Sequence, residues 1–305
     1  MKKSTMNTFA KFSLLGLAAL MAGTTARAER IYAVTDNGSG AAGNLVYFDS
    51  ATPATVVTVG AISGATNIRA IDFRPSDGQL YGAGYDGATG TFQLFTISTL
   101  SGIATPVGAS SILPNFQNST RLSIDVNPMA NALRVITGNG NSYRFNLGTG
   151  ALVAQDTAFN GATAAPLFAD VAYTNNVPGA TSTSLYAYDY SNDSIVLVNP
   201  PNAGTYTVIG TTGVTSGSAG IGFDISGLTG IAYLSVDPAS SAGLVDGLYT
   251  LNLATGASTL VGLTGLDLLD ISVVAVPEPG TLALAGIAGA AGVVALRRRL
   301  RRGAK

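Results

Sequence analysis

The chain has 305 residues, of which only 11% are charged; it holds 38 glycines and no cysteine, histidine or tryptophan. Its net charge of −1 conceals a division, because residues 29–276 carry six arginines, no lysine and sixteen acidic groups, a net −10. That balance repels a phosphate backbone and excludes a nucleic-acid partner. The missing residue types exclude Ser-His-Asp and Cys-His catalysis, histidine or thiolate zinc centres and a disulfide framework.

Lys2, Lys3 and Lys11 precede an apolar run from Phe12 to Ala22, followed by Ala26-Arg27-Ala28. A basic region, a short apolar region and an A-x-A motif in that order predict a signal peptide over residues 1–28, cut by signal peptidase after Ala28. The run is too short to span a bilayer by itself.

Residues 29–275 read as a repeat. An apolar-Asp-apolar strand recurs at Asp72, Asp125, Asp170, Asp224 and Asp270, at intervals of 53, 45, 54 and 46 residues. After each of the first four comes a second apolar strand and then a hairpin, as in FQLFTISTLSGIATPVG from Phe92 and GLYTLNLATGASTLVG from Gly247. Alternating residues with Ser-Gly or Thr-Gly turns at Gly102, Gly150 and Gly256 predict antiparallel pairs. Four strands in about fifty residues is the period of a propeller blade.

The segment at Glu29 begins with IYAV, the second strand of a unit, whereas Leu269–Ala275 holds a first strand with nothing after it. Pairing the two completes a blade and removes free sheet edges. The expected fold is therefore all-β: a propeller of five four-stranded blades closed between the N- and C-terminal strands. Six blades or an open repeat sandwich are the alternatives. The AIDFRPSDGQLYGAG segment (Ala70–Gly84) and its later copies resemble domain-of-unknown-function family 4394 over most of Arg30–Val274. The resemblance implies an extracellular, propeller-like domain and assigns no catalytic residue.

With no lysine between Lys11 and Lys305, a Schiff-base lysine and a P-loop are excluded. Gly82-Ala83-Gly84-Tyr85-Asp86-Gly87 matches G-x-G-x-x-G but lacks a following helix, so it is expected to be a hairpin turn rather than a dinucleotide site. The recurring aspartates are the channel candidates: Asp72, Asp125, Asp170, Asp224 and Asp270. They have three readings: acceptors that fix blade geometry, calcium ligands, or a catalytic carboxylate pair of a glycosidase type. Recurrence in every unit favours the first, because catalysis is asymmetric. Asp36-Asn37-Gly38-Ser39-Gly40 and Ser191-Asn192-Asp193-Ser194 place oxygen ligands in loops without EF-hand spacing, and read as turns. The strand tyrosines, Tyr32, Tyr47, Tyr81, Tyr186, Tyr188, Tyr233 and Tyr249, are expected to pack between blades rather than stack on sugars.

Residues 276–305 form a tail: Pro277-Glu278-Pro279, an uncharged span over 281–296 and an arginine cluster over 297–302. Sixteen helical residues reach ~24 Å, so snorkelling arginines would be needed to complete a transmembrane helix. The positive-inside bias holds the arginines in the cytoplasm and the domain outside, the orientation that the signal peptide also demands. These features resemble a PEP-CTERM sorting signal. The resemblance implies cleavage near Pro277-Glu278-Pro279 by an exosortase, a membrane-embedded transpeptidase, in bacteria that make extracellular polysaccharide. A plain membrane anchor is the alternative.

The function expected is a cell-surface or extracellular-matrix protein of biofilm type, retained at or released from the membrane. It acts as a non-enzymatic binding or structural module, with polysaccharide as a candidate partner and calcium as the one candidate cofactor. The rival is an extracellular propeller hydrolase or lyase acting through Asp72, Asp125 and Asp224.

Overall fold

The computed structural model describes residues 28–38, 42–65, 67–114, 121–163, 165–238 and 245–274. Ala26, the body of the predicted signal peptide, Pro277, Glu278, Pro279 and the predicted transmembrane helix lie outside these residues. Among the described residues no helix is long and apolar enough to cross a membrane.

The described chain forms five sheets. In blade 1, β1 (Arg30–Asp36), β2 (Ala42–Asp49) and β3 (Val57–Ala61) follow β21 (Leu268–Val273). Blade 2 runs β4 (Ile68–Phe73), β5 (Leu80–Asp86), β6 (Thr91–Ile97) and β7 (Ala104–Pro106), with the short β8 (Ser111–Ile112) also on β6. Blade 3 holds β9 (Leu122–Asn127), β10 (Ala132–Thr137), β11 (Ser142–Phe145) and β12 (Leu152–Asp156). Blade 4 holds β13 (Phe168–Tyr173), β14 (Leu185–Asp189), β15 (Ser194–Val198) and β16 (Tyr206–Thr211). Blade 5 holds β17 (Ser216–Ile225), β18 (Ala232–Pro238), β19 (Gly247–Leu251) and β20 (Ser258–Leu263).

The innermost strands β4, β9, β13, β17 and β21 touch in that order, and β21 touches β4, so the ring is closed. Closure uses the expected strand exchange: Ile31 pairs with Val273 and Val34 with Asp270 in an antiparallel ladder. The predicted count of five four-stranded blades holds.

Burial follows radius. All six residues of β13 and of β21 are buried, because each inner strand is covered on both faces by neighbouring blades. The outermost β3, β12 and β20 have no fully buried residue, since one face meets water. Five apolar clusters lie one at each blade interface. Tyr81, Phe92, Ile124 and Phe145, for example, join blades 2 and 3, while Ile31, Phe48, Leu248 and Ile271 join blades 5 and 1. Burial of such large apolar side chains supplies the main cohesion, at roughly 1.5–3 kcal/mol for each.

One local expectation is corrected. The G-x-G-x-x-G segment is not a turn: Gly82 through Asp86 belong to β5. Gly82 is there because an added Cβ would come within 2.5 Å of Ile97 Cδ1 on the adjoining strand. The tyrosines behave as expected for interface packing. Tyr188 is fully buried, and Tyr32 lies edge-on to Phe73 of blade 2 with ring centroids 5.4 Å apart.

Candidate functional site: a belt of aspartates around the axis

An inner strand has a ladder partner on one side only. Its other edge faces the axis, where unpaired N–H groups are costly unless something accepts from them. The recurring aspartates are those acceptors. Each sits on an inner strand and reaches forward by one blade. Val126 N–H donates to Asp72 Oδ2 at 2.7 Å, and the Tyr173 backbone N–H favours the charged form of Asp125. Phe223 N–H donates to Asp170 Oδ2 at 2.6 Å, Val273 N–H to Asp224 Oδ2 at 2.6 Å, and Ile71 N–H to Asp270 Oδ2 at 2.7 Å. The last bond joins residues 199 apart in sequence and completes the circuit.

Second oxygens take further edge groups. Val171, Ile225 and Ile271 donate to Oδ1 of the aspartate just before them, at 2.8, 2.6 and 2.7 Å. Ser272 joins the belt: it accepts from Phe73 N–H at 3.1 Å and donates to Asp72 Oδ1 at 2.9 Å, with Asp224 Oδ2 at 3.3 Å. Ser123 is buried beside the belt with its hydroxyl unpartnered. The sequence reading missed both serines, although each lies two residues from an aspartate, and period two puts it on the same face of the strand.

All five aspartates are 1–3% exposed. Burial is the first cause that raises their pKa values, and mutual repulsion the second for three of them. Asp170 is pushed up to about 7 and Asp224 to about 6, in each case by burial against opposing hydrogen bonds. Asp72 is raised by burial and by Asp224, Asp125 by burial and by Asp72 and Asp224, and Asp270 by burial and by Asp170. Asp170 and Asp270 lie close enough for each to shift the other, Asp270 being raised by Asp170. Asp72, Asp125 and Asp224 bring carboxylate oxygens within 4.8 Å of one another.

Two other buried polar clusters were not foreseen. Glu29, the first residue after the predicted cleavage site, is buried, and its carboxylate accepts from Ser226, from Thr229 at 2.8 Å and from Tyr233 at 3.0 Å, tying blade 1 to blade 5. Arg134 is 2% exposed and bonded to Tyr173, Ser142, Asn202 and Asp156, while Arg144 grips Asp156 from the other side. A cavity of about 80 Å³ beside this cluster is lined by both guanidinium groups, which share the single Asp156 carboxylate.

In the two loops weighed as calcium ligands, Asp36 and Asp193 each accept from groups nearby. Gly38 N–H closes an Asx turn on Asp36, with Ser39 and Gly40 outside the described residues. Asp193 accepts from Tyr188 and Ser216, both within blades 4 and 5.

A family model described as a domain of unknown function (DUF4394) matches residues 44–273, and a model of the PEP-CTERM protein-sorting motif matches residues 275–299. None of the curated proteins matches the sequence. Among solved structures, a protein of unknown function from Bacteroides thetaiotaomicron VPI-5482 is 15% identical, with a TM-score of 0.46 over 77% of this chain and 58% of that one. TolB from Acinetobacter baumannii is 16% identical, with a TM-score of 0.44 over 78% and 54%. The GH43_1 enzyme from Xanthomonas citri is 13% identical, with a TM-score of 0.42 over 81% and 83%. The chain thus spans little more than half the length of the first two, and likeness at this level carries no argument about chemistry.

Proposed function

The chain belongs to the family described as a domain of unknown function (DUF4394), and from that premise we propose that its propeller is a non-enzymatic binding or structural module of the cell surface or extracellular matrix. The sorting motif implies an exported protein handled by an exosortase-type system and delivered to the cell surface or beyond it. The observation that carries the non-enzymatic reading is the belt. Four of the five aspartates accept a backbone N–H from the next blade, and all five are 1–3% exposed, so the belt is occupied in holding the ring and closed to a polymer substrate. Signal peptidase and the exosortase are its processing partners, and extracellular polysaccharide is the ligand class that fits its destination.

One observation favours the rival hydrolase or lyase. Carboxyls raised to about 7 and about 6 lie in the range a general acid needs. A single experiment separates the two readings. The exported protein is incubated with host polysaccharide, scoring co-sedimentation and the release of new reducing or unsaturated ends. Binding without release is expected, unchanged in Asp72→Asn and Asp224→Asn; release that these variants abolish would replace the module by an enzyme. In parallel, mass spectrometry should place the mature C-terminus near Pro277 in the host and leave residues 297–302 attached when the exosortase is disabled.

A further inference from the structure

The belt is short of positive charge. The contacts of its five carboxylates are backbone N–H groups, the Ser272 hydroxyl and one another. Five ionised carboxylates cannot share a dry channel, because each isolated buried charge costs several kcal/mol. Asp170 and Asp270 accept backbone N–H groups on both oxygens, from Val171 and Phe223 and from Ile271 and Ile71.

The other three are arranged differently. Asp72, Asp125 and Asp224 come from blades 2, 3 and 5 and bring one oxygen each within 4.8 Å of the others. Two oxygens on one calcium ion, each 2.3–2.6 Å from it, lie no more than about 5 Å apart, so the spacing suits a shared ion. Asp125 is 1% exposed, and its Oδ1 has no hydrogen-bond partner at all. An orphan buried oxygen, on a carboxylate that meets two further carboxylates, is an acceptor waiting for a cation. Ser272 Oγ of blade 1 stands between Asp72 and Asp224 and adds a neutral oxygen.

We propose that Asp72, Asp125 and Asp224, with the Ser272 hydroxyl, form a calcium site on the propeller axis that ties four of the five blades together. The donor set is all oxygen, which selects a hard cation. A site built mainly from protein oxygens suits calcium better than magnesium, which keeps most of its waters. The ion would reduce the triad from three negative charges to one. The proposal stands on the belt geometry alone and holds whatever the module binds.

The rival location is Asp246, fully buried near Asp237 and Asp267 with an unpartnered Oδ1 of its own. The test therefore compares the two positions in the exported full-length protein at about pH 8, stripped with EDTA and then given calcium chloride. Expected are one calcium per chain by elemental analysis and a melting temperature raised by about 5–10 °C. Asp125→Asn should lose both the ion and the shift, yet melt above the wild type in EDTA, because a repelled charge is gone. Asp246→Asn should keep the shift. No shift in the wild type, a shift that survives in Asp125→Asn, or one that disappears only in Asp246→Asn would each overturn the assignment.

Discussion

The blades are joined at two radii by opposite means. At the axis, aspartates reach from one inner strand to the bare N–H edge of the next, so the bond is polar, directional and charged. At the rim, backbone meets backbone. The Thr149–Gly150 turn of blade 3 lies against Val107–Gly108 beside the outer strand of blade 2, so closely that a Cβ on Gly150 would overlap the Val107 carbonyl oxygen. Gly256 of blade 5 abuts Gly210 of blade 4 in the same way. The rim joint needs only the absence of side chains and is indifferent to pH. The axial joint depends on protons or ions, so any response of the ring to its surroundings should originate there.

Breaking the rim should cost most. Gly150 has φ +65° as well as no room, so Gly150→Ala combines left-handed strain with a backbone clash, about 2–4 kcal/mol by denaturant unfolding. Gly78→Ala, with φ +70° and open space, should cost only about 1 kcal/mol, and the difference isolates the rim contact. At the axis, Asp170→Ala strands the N–H groups of Phe223 and Val171. It should cost about 2 kcal/mol, and Asp170→Asn, which keeps an acceptor, clearly less. Equal losses from the two would mean that charge rather than acceptance matters there.

The pH response separates the joints further. The axial carboxyls are raised in the folded state, Asp170 to about 7 and Asp224 to about 6, against about 3.9 unfolded. The native protein thus binds more protons than the unfolded chain across that window. Stability from these groups is fully present below about pH 4 and is lost as pH rises toward about 7. In EDTA the melting temperature should fall over that range, and the Gly150→Ala variant should fall in parallel with the wild type. A flat profile would show that the belt is already neutral. The smallest effect is expected from Glu29→Gln, which weakens three hydroxyl bonds across the closing interface; about 1 kcal/mol should be lost.

Much of the ring was legible before any coordinate. The spacing of Asp72, Asp125, Asp170, Asp224 and Asp270 marks the inner strands because a propeller repeats one supersecondary unit. The orphan strand at Asp270 and the truncated unit at Glu29 announce closure because unpaired edges are costly. What each aspartate does was not legible. Ile71 and Asp270 become neighbours only when the last strand, having completed blade 1, meets blade 2, and nothing local in either segment names the other. Arg134 reads as an ordinary strand arginine, and its burial follows from Asn202 and Tyr173 arriving from blade 4. Nothing in the sequence marks Glu29 as buried, and only Ser226, Thr229 and Tyr233 closing over its carboxylate make it so. The G-x-G-x-x-G segment misled because glycine suggests a turn, whereas Gly82 answers to Ile97 on the neighbouring strand.

By itself the sequence determined the strand repeat, the unpaired strands at its two ends and the sorting motif, all of which are periodic or local and so are written in one dimension. The tertiary structure alone decided that five carboxylates would converge on one buried axis, three of them within reach of a single cation, because that convergence is a property of the closed ring.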